Sequence, residues 1–164
     1  MFAYAEDSEK SLASDENAAR LCNELNNSIF SGDFDHAVDL TYPKVVSAIG
    51  GRAQYIELLK KLGEGQPGFK LRKVECQKPI QHSIVNGFTF ALLPTTSFAT
   101  VKGGTYKFPS SYLGISDDQG AKWTFLNLTP GIKAEQLTPL FPKGIGEITL
   151  LGKQEGVLIP DMGN

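Results

Sequence analysis

The chain has 164 residues, 41% of them hydrophobic and 21% charged, and a net charge of −2. That balance fits one globular domain long enough to bury a core. Residues 1–68 carry six Lys/Arg against eleven Asp/Glu and residues 69–164 ten against seven, so neither half is basic enough for nucleic acid, and no apolar run approaches the ~18 residues of a membrane span.

Taken in order, Phe2-Ala3-Tyr4-Ala5 before Glu6-Asp7 reads as the small-x-small end of an export signal cut after Ala5. It implies a secreted or periplasmic protein. Residues 1–16 read as a flexible lead-in, Glu6–Glu16 being acidic and poor in apolar side chains, to a single domain at 17–164. Cys22 and Cys76 are the only cysteines. They make one disulfide, as suits an exported protein, or stay as two buried thiols; without C-x-x-C spacing they do not point to zinc.

A first helix is predicted from Ser14, with Ala18, Leu21, Cys22, Leu25 and Ile29 on one face and Gly32 at its end. Asp33 is placed to cap a short second helix, Phe34 to Leu40. Pro43 suits the first turn of a third, through Ile49, and Gly50-Gly51 breaks it. A fourth runs from Arg52 to Leu62 and buries Tyr55, Ile56 and Leu59. The glycine-rich stretch 63–68 is the clearest boundary in the chain.

From Phe69 the period becomes two. Phe69 and Leu71 share one face while Val74 and Cys76 have the opposite parity, so either both faces are part-buried or a bulge lies near Arg72-Lys73. Lys70, Arg72 and Lys73 read as a solvated strand edge. Ile84, Phe88, Phe90 and Leu92 alternate along a strand that Pro94 stops. Phe98–Val101 and Thr105–Phe108 are short strands turned by Gly103-Gly104, and Pro109 implies an edge or a bend.

Tyr112–Leu128 is a hairpin around Asp117-Asp118-Gln119-Gly120. With a four-residue turn, Gly114 faces Trp123 and Tyr112 faces Phe125. One side carries Tyr112, Trp123 and Phe125, the other Leu113, Ile115 and Leu126, and both need covering. Beyond Pro130-Gly131, the extension 131–164 holds a short helix, Ala134–Phe141, and brief strands at Glu147–Leu151 and Val157–Ile159. Helices followed by a strand meander predict an α+β fold, a curved antiparallel sheet wrapped on a helical layer. Since the helices cover one face, the other needs a second copy of the chain, a homodimer through the outer sheet face, or the C-terminal segment.

The order of elements, with Gly32-Asp33-Phe34-Asp35, Tyr42-Pro43, Gly50-Gly51 and the Trp123 hairpin, resembles the nuclear-transport-factor-two-like superfamily, the cystatin-like cone, over Ala18–Leu128. The nearest likeness is to secreted bacterial members of unassigned function. The resemblance implies a pocket between the concave sheet face and the first helices. Some members are dehydratases, isomerases or cyclases, and many only bind ligands or partners. Separately, Ser116, Asp118, Gly120 and Trp123 fit S-x-D-x-G-x-x-W, similar to the Asp-box hairpin of sialidase-type propellers. Its single occurrence in so short a chain reads as turn chemistry alone.

For catalysis the candidates are His36 and Asp39, three residues apart on one helical face, where a carboxylate can orient an imidazole as base. The plain alternative makes both surface residues. Tyr42, Arg52, Tyr55 and Trp123 are the candidate ligand-binding residues; the plain alternative for Tyr42-Pro43 is packing on the sheet. His82 reads as an exposed loop residue. No phosphate cradle, nucleophile elbow, metal cluster or cofactor is indicated. The leading expectation is an exported, non-catalytic module for a small apolar ligand or a protein partner; the alternative is a dehydratase- or isomerase-like enzyme using His36 and Asp39.

Overall fold

The computed structural model describes residues 3–162, without the side chains of residues 3–9 and 13. Four helices come first: α1 (Ala3–Ser31), α2 (Phe34–Asp39), α3 (Pro43–Ala48) and α4 (Arg52–Glu64). Six strands follow: β1 (Phe69–Cys76), β2 (Gln81–Val85), β3 (Phe88–Val101), β4 (Gly104–Ser116), β5 (Thr124–Leu128) and β6 (Val157–Pro160). The fold is α+β, with the antiparallel sheet strongly curled into a half-barrel.

Helix α1 begins at Ala3 instead of Ser14, so the acidic lead-in is helical where its backbone is described. Of the export-signal tract, Phe2 lies outside the described residues and Ala3–Ala5 are described in backbone only. Asp33 caps α2 as expected, its carboxylate accepting the His36 N–H at 3.3 Å.

The sheet is built on one long hairpin, β3 with β4, and each long strand has two short partners on its free side. β2 pairs with Phe88–Leu92 and β1 with Thr95–Val101 along β3; β6 pairs with Gly104–Lys107 and β5 with Ser111–Ile115 along β4. Pro94 therefore does not stop its strand. It sits in the gap between β1 and β2, where its carbonyl accepts from the Gln77 N–H at 2.9 Å and no ladder requires its missing donor. Pro109 occupies the equivalent gap between β6 and β5. Of the two alternatives for β1 the bulge is the one present, between Leu71 and Lys73, which puts Leu71 and Val74 on the same face.

Asn86-Gly87, both at positive φ, joins β2 to β3. Asn-Gly between alternating apolar residues is a hairpin signal that the reading of one strand through Ile84–Leu92 passed over.

In the Tyr112–Leu128 hairpin the register differs by two residues from the expected one: Gly114 pairs with Phe125 and Tyr112 with Asn127. The turn is longer because side chains organise it. Ser116 Oγ donates to Asp118 Oδ1 at 2.8 Å and accepts the Gly120 N–H at 2.8 Å, while Asp118 Oδ1 accepts the Lys122 N–H at 2.8 Å. A shift of two preserves parity, so the two faces keep their expected residues.

Those hydrogen bonds, the Lys122 N–H first and the Ser116 hydroxyl next, hold the Asp118 carboxyl below the usual carboxylate range. A depressed folded pKa stabilises above the unfolded value, and the contribution disappears as pH falls through the folded one. Asp118→Ala should cost about 1 kcal/mol at neutral pH, below the ~1.5–3 kcal/mol of a charged hydrogen bond because the group is exposed. The loss should shrink when denaturant midpoints are repeated toward pH 2.

The helix-side core joins Ala18, Cys22, Leu25 and Ile29 of α1 to Val74, Ala91, Leu93, Tyr112, Trp123 and Phe125. Cys22 and Cys76 are disulfide-bonded, and Asn23 closes the same joint by accepting the Cys76 N–H at 2.9 Å and donating to its carbonyl at 3.2 Å. On the outer face Phe90, Leu92, Leu113, Ile115 and Leu128 meet Leu137, Phe141, Ile145 and Ile148. The chain's own C-terminal segment covers that face, which removes the reason given for a second copy there. Little of the segment is regular. Only Ala134–Leu137 is helical, as a 3-10 turn, and Glu147–Leu151 is no strand but is held by Gln81, which binds Thr149 through both amide groups.

Candidate functional site

Residues 40–42 lie along the free edge of β5. The Phe125 N–H donates to Leu40 O and the Tyr42 N–H to Phe125 O, both at 2.9 Å. This edge pairing fixes Tyr42 at the rim of the sheet, from which its ring joins the outer-face core. There it stacks on Phe141 with centroids 5.2 Å apart, and Phe141 meets Phe90 edge-on at 5.2 Å. All three rings are buried.

Beside them opens a cavity of about 320 Å³. Its walls are Tyr42, Val85, Phe88, Phe90, Leu140 and Phe141, and its polar groups are Asn86, Lys44 and Lys143 with the backbone of 142–144. Rings in mutual contact set this shape before any ligand arrives. The size and mostly apolar lining are those of a small-molecule site. It lies on the outer face, reached only by the first residues of α3 and its cap Tyr42, and not between α1 and the sheet as the resemblance implied.

The catalytic candidates are not brought together. His36 Nε2 lies 2.5 Å from Glu24 Oε1 on α1, and Asp39 Oδ1 accepts from Arg52 Nη1 at 2.9 Å. Arg52 also binds Asp35, side chain and carbonyl. Helix α2 is six residues long and sits between α1 and α4, so His36 finds its carboxylate on one neighbour and Asp39 its cation on the other. All four side chains are well exposed. His36 and Asp39 are thus each engaged by a different partner, and the Arg52 guanidinium is held by Asp35 and Asp39.

Nor do the binding candidates converge. Tyr42 walls the outer cavity. Tyr55 faces a separate groove of about 640 Å³ between α3, α4 and β5, where burial raises its phenol pKa and Thr41 offsets part of the rise. Trp123 is buried in the helix-side core. His82 stands on β2 rather than in a loop, with Nε2 2.6 Å from Asp15 Oδ1. Among the described residues no group of three His, Cys, Asp or Glu is placed to hold a metal ion, and no helix is long and apolar enough to cross a membrane.

Sequence reasoning missed Phe90 and Phe141 as walls because each is also an ordinary core residue, and Phe88 because it reads as one more apolar position of an alternating strand. It missed Lys44 and Lys143 although a signal was present, since each follows an aromatic-proline pair. No protein-family model, curated protein or solved structure matches the chain.

Proposed function

We propose that the protein is an exported, non-catalytic binding module of the nuclear-transport-factor-two-like kind, taking a small apolar ligand in the outer-face cavity. The observation that carries the reading is the preset aromatic wall of Tyr42, Phe90 and Phe141 beside about 320 Å³ of space. The curled α+β architecture supports the family, and the Cys22–Cys76 bridge supports an oxidising compartment. A protein partner is the second reading, favoured by Ile49, Leu58 and Leu62, each 43–48% exposed, along the α3–α4 groove.

A neutral fluorophore such as N-phenyl-1-naphthylamine should bind saturably and one-to-one. Leu140→Trp, which fills the cavity, should weaken it at least ~10-fold, the effect of losing a few buried contacts, while Leu58→Ser leaves it unchanged. Unsaturable binding, or loss with Leu58→Ser alone, would remove the reading.

A further inference from the structure

One short sequence is used twice at this cavity. Tyr42-Pro43-Lys44 and Phe141-Pro142-Lys143 are remote in the chain, yet their rings are stacked and both lysines line the same space. In each, proline fixes the backbone between the ring and the lysine, so the wall and the charge are positioned together. Lys44 reaches the opposite tripeptide's side of the cavity, its Nζ 3.5 Å from Leu140 O. Two exposed lysines on the lining of an apolar, ring-walled cavity, with no carboxylate among its lining residues, make its mouth positive. A purely apolar ligand gains nothing from that field; an apolar anion does.

Building on the ligand-binding reading above, we propose that the cavity takes a small apolar carboxylate, its body against Phe90 and Phe141 and its head between Lys44 and Lys143. The volume admits a body of one or two rings or an equivalent alkyl chain. The planar acid needs only two point charges, and lysine supplies these without a fixed fork.

The test titrates 15N-labelled protein with 3-phenylpropionate, octanoate and their neutral amides, following the amides of Asn86, Gly87 and Gly144. The acids should bind about tenfold tighter than the amides, the scale of two partly exposed ion pairs. Lys44→Ala/Lys143→Ala should abolish the preference and leave amide binding intact, and Lys122→Ala, remote on the hairpin turn, should change neither. Equal affinity for acid and amide, or a preference that survives the double substitution, would overturn the carboxylate assignment and leave the apolar pocket standing. Binding of neither at this cavity would remove both.

Discussion

Trp123→Ala is expected to lower stability by about 3–5 kcal/mol, the range for truncating a large buried ring. The indole is 2% exposed and lies where the Ser116–Asp118 turn, strand β4 and helix α1 meet. Gly114 is flat beneath it: a Cβ there would stand 3.1 Å from the indole Cε3 and 3.3 Å from Leu93 Cδ1. The turn in turn seats on α1, with Ser14 Oγ donating to Gly120 O at 3.4 Å and Asn17 to Ala121 O at 3.1 Å. Removing the ring therefore opens a cavity under a docking joint as well as inside a core. Trp123→Phe should lose less, since the indole N–H has no partner among the described residues and its removal leaves none of them unpaired. In thermal unfolding the alanine variant should melt on the order of 10 °C lower. A shift within ~0.5 kcal/mol of zero, the usual size for a surface change, would mean the ring is not buried.

Opening the disulfide should have a comparable effect. The bridge ties residues 54 apart in sequence, and closing a loop of that length is worth about 4 kcal/mol in the chain-entropy model. Cys22→Ala/Cys76→Ala should reach the same denaturant midpoint with and without reductant, and wild type should fall toward that midpoint when reduced. Asn23, which holds the Cys76 backbone through both amide groups, keeps the joint formed in the reduced protein, so lower stability with an unchanged fold is expected. A wild type insensitive to reductant would show that the thiols are not joined.

Much of the architecture was legible because local chemistry and tertiary placement agree. The change of parity after Leu71 offers the bulge as one of two alternatives, and the apolar stripe of α1, the Asp33 cap and the glycine breaks follow from spacing alone. So do the two apolar faces of the β4–β5 hairpin, since parity survives the longer turn. Pro94 reads as a strand end and Pro109 as an edge or a bend because sequence shows a missing donor but not where neighbouring strands stop; each lies at a change of neighbour, where that donor has no use. The C-terminal segment has no period to read, being shaped by what it covers. The cavity was hidden for the same reason. Tyr42, Phe90 and Phe141 belong to an edge segment, a strand and a coil, and only the curled sheet brings them together. His36 and Asp39 show the converse: adjacency on a helix gave no contact once Glu24 and Arg52 offered better-placed partners.

The account rests on one chain covering both sides of its own sheet and building the cavity as it does so. Inter-ring nuclear Overhauser effects report this directly, using a mixture of labelled and unlabelled protein filtered to separate contacts within a chain from those between chains. Phe141 ring protons should show effects to Tyr42 and Phe90 within a single chain. Their absence, or their appearance only between chains, would contradict the self-covered outer face and the pocket built on it.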